Sequence, residues 1–114
     1  MSLIDEIVRS KRKEKRIALA LPVKVYKDEG RTLWEWSCTY EISRWGARLK
    51  KVRGIAVGQE IWIQRQGLRA KYRVIWIGNP HAGQFGAQCL ENKIIWDEDI
   101  QGRLLKEPAP ASKV

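Results

Sequence analysis

Hydrophobic and polar residues alternate along most of the chain between residues 17 and 89. From Ile17 to Val25 every second residue is large and apolar, and the residues between them are small or polar. A period of two residues is typical of a strand that buries one face. Six strands are predicted in this way, over residues 17–26, 33–42, 47–52, 60–65, 68–77 and 85–89.

Two details of this pattern predict how the strands lie in a sheet. Pro22 has no amide hydrogen to donate, so the first strand is expected at an edge or a bulge. Most of the six tryptophans are expected in the core or the barrel wall. In the second strand, one shared face is predicted to comprise Trp34, Trp36, Cys38, Tyr40 and Ile42.

Polar and glycine-containing turns separate the strands at short intervals. They are centred on residues 28–30, 43–46, 66–67 and 78–83. Short, closely spaced strands favour a closed or nearly closed barrel, since closure removes exposed strand edges. The predicted fold class is all-β, a six-stranded antiparallel barrel with a short helix at each end.

The two ends of the chain lose this alternation. Ser2 can cap a short N-terminal helix, and residues 97–106 can form a C-terminal one, while the last residues predict a disordered tail. The predicted organisation is a helix and basic arm over 1–16, a barrel over 17–92, a helical segment over 93–107 and a tail over 108–114.

The charge of the chain points to an anionic partner. Twenty-two Lys and Arg residues against thirteen Asp and Glu leave a formal net charge of +9, and such an excess costs self-repulsion. Six of the basic residues fall within residues 9–16. Nucleic acid, a lipid surface and a small phosphorylated ligand are all consistent with this pattern, and so is a solvated arm that binds nothing.

Several other classes of protein are disfavoured. His81 stands in a Pro/Gly loop with no recognisable nucleophile beside it, so we expect no enzyme and no catalytic residue. Cys38 and Cys89 lack neighbours at metal spacing, so no metal or cofactor is expected and both are predicted as buried thiols. No apolar run is long enough for a membrane helix and the N-terminus lacks a signal-peptide core, which predicts a cytoplasmic protein.

Two short segments have the chemistry of a binding site. Arg12 and Arg16 stand four residues apart before the first strand, and the planar guanidinium group suits phosphate oxygens and the O6/N7 edge of guanine. Between the second and third strands, Ser43 can bond a base edge and Gly46 permits a tight turn or close ligand approach. Each segment alone is a common pattern.

Together and in this order, the segments resemble the PilZ domain family. Residues 12–26 and 39–49 contain the two segments, and residues 57–63, 72–78 and 83–89 agree with later parts of the family. The resemblance implies a bacterial six-stranded barrel that binds the second messenger cyclic di-GMP.

The resemblance also implies which residues contact the ligand. Arg12 and Arg16 match the family's R-x-x-x-R motif, and Ser43 and Gly46 match its [D/N]-x-S-x-x-G motif. Glu41 stands at the first position of the second motif, where the family has Asp or Asn.

A mode of action follows from the same resemblance. The arm of residues 9–16 would fold over the ligand, and an unidentified protein partner would read the new surface. Auxiliary ligand contacts are expected from Arg9, Lys11, Lys13, Arg44 and Trp45, the last by stacking on guanine or covering the site.

Two other functions stay open. The extra methylene of Glu41 can displace a base-edge hydrogen bond, which would leave a degenerate adaptor that binds no nucleotide and acts through protein contacts. A small nucleic-acid-binding barrel fits the net charge and the aromatic residues. Nucleic acid is the least favoured partner, because the basic residues cluster at one motif instead of alternating with aromatic residues on a stacking face.

Overall fold

The computed structural model describes residues 15–30 and 32–105. The predicted N-terminal helix, most of the basic arm and the predicted tail lie outside the described residues. The strands are β1 (Pro22–Tyr26), β2 (Trp34–Ile42), β3 (Gly46–Lys50), β4 (Glu60–Arg65), β5 (Leu68–Ile77) and β6 (Phe85–Cys89), and the helix is α1 (Glu98–Leu105).

The six strands form a closed antiparallel barrel in the order β1-β2-β3-β6-β5-β4, which confirms the predicted fold class. β1 closes the barrel, since it pairs with β2 along its whole length and with β4 over residues 24–26. Pro22 is the first residue of β1 and lies outside the β4 ladder. Its missing amide therefore costs no hydrogen bond to β4.

The first strand begins at Pro22, five residues later than the alternation predicts. Residues 17–21 still run beside β2, to which an isolated bridge joins their first residue. Between the bridge and the strand, the Thr39 hydroxyl accepts a hydrogen bond of 2.9 Å from the Leu21 amide and donates one of 2.7 Å to the Leu19 carbonyl. The Thr39 side chain thus replaces part of the backbone hydrogen-bond ladder that the alternation predicted back to residue 17.

The face of β2 that holds Trp34, Trp36 and Cys38 is the outer face of the barrel. Ser37 and Thr39 are buried, whereas Trp34 and Trp36 are exposed on the outside. The reason lies in β1, whose valines face inward and whose register fixes that of β2. A register shift after Thr39 then changes the facing residues, so that Ile42 is buried and, contrary to the prediction, does not share the outer face of Trp34 and Trp36.

The outward orientation of this face bears on the predicted burial of the tryptophans and cysteines. Trp96 is the one fully buried tryptophan of the six, and the other five are exposed or half-buried. Cys89 is buried as predicted, but Cys38 is only half-buried because it follows Trp36 along the outer face of β2.

The C-terminal segment packs against the barrel core. Trp96 is fully buried ahead of α1, and Ile100 and Leu104 bury the apolar face of the helix. The predicted helix over residues 97–106 is confirmed at Glu98–Leu105.

Candidate ligand-binding cleft

The turn between β2 and β3 is held by three hydrogen bonds. The Ser43 amide donates to the Gly46 carbonyl at 2.9 Å, which closes the turn. The Ser43 carbonyl accepts a hydrogen bond of 2.8 Å from the indole Nε1 of Trp96. The Trp45 carbonyl accepts one of 2.7 Å from the Cys89 amide. These bonds fix the turn against both β6 and the C-terminal segment.

Gly46 stands where a larger residue would crowd the turn. A Cβ atom at this position would lie 3.3 Å from the Ser43 hydroxyl oxygen and 3.4 Å from the Ala87 carbonyl oxygen. Both distances are tighter than or at the limit of ordinary contact, so the glycine keeps the turn compact and its surface open.

Two arginines engage the carboxylate of Glu41. Its Oε1 atom lies 3.3 Å from Nε of Arg48 and 3.8 Å from Nη1 of Arg16. Arg48 faces Glu41 in the β2–β3 register, whereas Arg16 belongs to the segment before β1. The three side chains are partly exposed, so each ion pair contributes little to stability. Their effect is to gather two guanidinium groups around one carboxylate.

Arg48 also contacts an aromatic ring across the sheet. It pairs with Gly86 on β6, which pairs in turn with Trp76 on β5, so the three residues form a row on the outer face. The Arg48 guanidinium carbon lies 5.5 Å from the Trp76 ring centroid, a cation–π distance. A Cβ atom at Gly86 would lie 3.3 Å from the indole, so the glycine lets Trp76 pack closely on β6.

These side chains surround a cleft of about 250 Å³ on the outer face of the barrel. The structure therefore brings the end of the basic arm and the β2–β3 turn together, as the candidate site requires. The residues predicted from the sequence that line the cleft are Arg16, Glu41, Ser43, Trp45 and Gly46.

Of the other predicted site residues, only Arg44 belongs to the described part of the chain. Arg44 follows the first residue of the turn, but its guanidinium lies over the Trp45 ring, 5.4 Å from the centroid, and does not line the cleft. Those that lie outside the described residues are Arg9, Lys11, Arg12 and Lys13.

Sequence reasoning missed Arg48, Trp76 and Gln88, which also line the cleft. A signal for Arg48 was present, because it stands two residues after Gly46 on β3 and so shares its face. Trp76 and Gln88 are distant in sequence from the two motifs. The pairing of β3 with β6 and of β6 with β5 brings them here, and no local pattern announces that pairing.

The cleft contains charges of both signs with a positive excess. Arg16 and Arg48 supply two cations, and Glu41 supplies one carboxylate. Beside them, burial raises the pKa of the Tyr40 hydroxyl, an effect that the nearby Arg48 charge opposes. Tyr40 is therefore neutral at physiological pH. Two guanidinium groups, indole rings and a turn with a hydroxyl suit an anionic ligand that contains an aromatic base.

Within residues 15–30 and 32–105, no three His, Cys, Asp or Glu side chains group as metal ligands. No helix in that part of the chain is long and apolar enough to cross a membrane.

A barrel with an arginine-lined cleft on its outer face is typical of small ligand-binding domains. Comparison of the sequence with known families identifies the family. The family described as PilZ domain matches residues 10–104. The chain therefore belongs to the PilZ domain family. Members of this family are binding and adaptor modules that typically bind cyclic di-GMP. A comparison with curated proteins found no match.

Two solved structures share the fold. The PilZ domain of CeSA, from a cellulose-synthesizing bacterium, has a TM-score of 0.52 at 20% identity, with 69% of this chain and 83% of that chain covered. The Bacillus subtilis inhibitor of motility, MotI/DgrA, has a TM-score of 0.51 at 18% identity, with 82% of this chain covered. The match spans 47% of MotI/DgrA, about half its length.

Proposed function

We propose that this chain is a cyclic di-GMP receptor and adaptor module that binds the nucleotide in the cleft and signals to a protein partner. The observation that supports this most strongly is the meeting of Arg16, Glu41, Ser43 and Gly46 in one cleft, although they come from separate segments. The typical ligand of the family agrees with it.

In this proposal the guanidinium groups grip the ligand phosphates. Arg16 and Arg48 already lie together around Glu41. Arg12 belongs to the same R-x-x-x-R motif as Arg16 and contacts the ligand from the arm. Charge-assisted hydrogen bonds from two or three arginines give the phosphate part of the ligand most of its binding free energy.

The guanine part of the ligand is read by the turn and the indoles. The Ser43 hydroxyl and the turn backbone bond a base edge, while Trp45 and Trp76 offer ring faces at the cleft. Ordering of the arm on the ligand changes the surface that a partner contacts. This role needs no catalysis, metal or cofactor, and its proposed setting is the bacterial cytoplasm.

Isothermal titration calorimetry of the full chain with cyclic di-GMP tests this function. We expect saturable heat at roughly micromolar ligand. Arg16→Ala should weaken binding about tenfold or more, because a hydrogen bond to a charged group contributes about 1.5–3 kcal/mol.

Arg103→Ala is the matched control, since it removes the same charge from the exposed surface of α1 and should leave binding unchanged. Absence of heat with the wild-type chain, or an equal loss in both variants, contradicts the proposal.

A second function, an adaptor that binds no nucleotide, is favoured by one observation. The Glu41 carboxylate already occupies the guanidinium groups of Arg16 and Arg48, so a ligand phosphate must replace it. Glu41→Asp keeps the charge but shortens the side chain by one methylene. Cyclic di-GMP binding that appears only in Glu41→Asp supports the adaptor, whereas binding in both chains supports the receptor.

A further inference from the structure

The outer face of β1, β2, β4 and β5 carries a second group of side chains that is separate from the cleft. The strand register arranges them in two neighbouring rows, which we call the aromatic platform. One row is Trp34, Tyr26, Trp62 and Lys71, and the other is Trp36, Lys24, Gln64 and Arg69.

The tryptophans at the β2 end of the platform are exposed. Trp34 is 43% and Trp36 59% exposed, and their rings meet edge to face with centroids 5.8 Å apart. Tyr26 is buried beside Trp34, at 6.4 Å between centroids, and supports it. Two adjoining exposed indoles form an apolar patch, and contiguous exposed apolar surface is a feature of interaction sites.

Cations lie among these rings. Lys24 Nζ is 4.7 Å from the Trp34 centroid and 5.4 Å from the Trp36 centroid. Lys71 Nζ is 5.5 Å from the Trp62 centroid. Lys24 forms no ion pair with any described residue, so its charge is available to an anion.

Arg69 gives an independent sign that an acceptor is missing. Its Nη1 atom is buried and has no hydrogen-bond acceptor among the described residues. The side chain lines an open cavity together with Trp62 and Lys71. A buried donor without an acceptor is unfavourable, and a movement of the guanidinium toward the cavity that Arg69 lines would let an anionic ligand oxygen satisfy it.

Two acids also line that cavity, and both are engaged within the protein. Glu60 contacts Arg73 at 3.0 Å and Lys71 at 3.6 Å, and the hydrogen bond from Arg73 lowers the pKa of the Glu60 carboxyl. The Glu91 carboxylate accepts a hydrogen bond from the Lys71 amide. Lys24 and Arg69 therefore have no carboxylate partner among the described residues, whereas Lys71 is paired with Glu60.

We propose that the aromatic platform binds single-stranded nucleic acid. Bases stack on Trp34 and Trp36, while Lys24, Lys71 and Arg69 contact phosphates. Rings that alternate with cations across a sheet are the means by which small barrels hold single strands without sequence preference. No such face is visible along the sequence, because folding assembles it from residues of four strands.

An acidic protein segment is the other anionic partner that this surface could take. Lysine is depleted in the cores of protein interfaces, which are apolar with a charged rim. Here Lys24 lies within cation–π distance of both exposed rings, so a positive charge directly adjoins the apolar surface. This arrangement favours a ligand whose aromatic groups and negative charges alternate.

Fluorescence anisotropy of the full chain with a labelled oligothymidylate of about 12 nucleotides tests the proposal, since this length lies within the site size of single barrels. Three phosphate contacts predict a log–log salt slope of about −2. Trp34→Ala and Trp36→Ala keep every charge, and each should weaken binding about tenfold through lost stacking. Val57→Ala is the control, because Val57 is a 62% exposed apolar side chain that lines neither the cleft nor the cavity beside the platform.

Lys24→Gln and Arg103→Gln form a second matched pair, because each removes one charge. Lys24→Gln should reduce the salt slope by about 0.7, and Arg103→Gln should leave it unchanged. Equal binding by the Trp34, Trp36 and Val57 variants would show that net charge alone holds the oligonucleotide. If the chain binds a glutamate–leucine peptide, loses that binding in the Trp34 and Trp36 variants and does not bind oligothymidylate, the platform docks a protein. Either result overturns the proposal, whatever the outcome of the cyclic di-GMP titration.

Discussion

At the scale of single residues, Trp96 connects the core to the candidate ligand-binding turn. Its side chain is fully buried in the core, and its Nε1 donates the 2.8 Å hydrogen bond to the Ser43 carbonyl. A buried indole needs such a partner, and a buried carbonyl needs such a donor. One side chain therefore stabilises the barrel and also positions the turn on which Ser43 stands.

Trp96→Phe should lower the free energy of unfolding by about 2–4 kcal/mol, because it leaves the Ser43 carbonyl unsatisfied and a void beside it. Trp36→Phe is the control, since it makes the same substitution at an exposed ring. It should change the free energy of unfolding by less than about 0.5 kcal/mol. Urea denaturation measures both. Similar values for the two variants would show that the buried hydrogen bond is unimportant.

At the scale of elements, the loop between β5 and β6 docks on the chain just after β3. Gly83 has a φ of 61°, and a Cβ atom there would lie 2.7 Å from both the nitrogen and the oxygen of Val52. The Lys51 amide donates to the Ala82 carbonyl at 2.8 Å. The loop thus passes so close to another backbone that no side chain fits, and this contact sets where β6 begins.

Gly83→Ala should destabilise the protein by about 2 kcal/mol or more, since a positive φ costs a residue with a Cβ about 1–2 kcal/mol and the steric clash adds to it. Gly58→Ala measures the cost of the positive φ alone, because Gly58 has a φ of 93° but no atom within 4 Å of the added Cβ. Gly67→Ala, with open space and no positive φ, should be nearly neutral. Thermal denaturation should show the largest loss of stability for the Gly83 variant, a smaller one for Gly58 and the smallest for Gly67. Another order would contradict a steric clash between the Cβ at position 83 and the Val52 backbone.

At the scale of the whole molecule, two parts of one barrel wall hold two kinds of cationic surface. The cleft lies where β2, β3, β5 and β6 meet, and the aromatic platform crosses β1, β2, β4 and β5. Their charges belong to a chain with a formal net charge of +9. Apart from the bidentate Arg65–Asp97 pair, the ion pairs of the described residues are partly exposed and contribute little, so self-repulsion opposes folding.

Salt should therefore raise the melting temperature. Between about 10 mM and 150 mM NaCl the Debye length falls from roughly 30 to 8 Å, and we expect a rise of a few degrees, about 0.5–1 kcal/mol for a domain of this size. Arg103→Glu lowers the net charge by two at an exposed site and should reduce the rise. A melting temperature that falls with salt would show that ion pairs outweigh repulsion. Differential scanning calorimetry gives the values.

Much of the fold could be predicted from the sequence, because strand periodicity and turn residues are local. The strands and α1 lie within a few residues of their predicted positions, apart from the start of β1. The β2–β3 turn and Arg16 were also predicted, and they meet in the cleft. Arg48 and Trp76 were missed, since their place in the cleft depends on the order in which distant strands pair.

The sequence by itself determined the elements, the barrel and the two motifs, since each is encoded in neighbouring residues. Only the tertiary structure decided which face of each strand is buried. A period of two residues defines two faces without naming the inner one, and in β2 the register with β1 buried Ser37 and Thr39 and turned Trp34 and Trp36 outward. That choice, together with the pairing of strands far apart in the chain, created both the cleft and the aromatic platform.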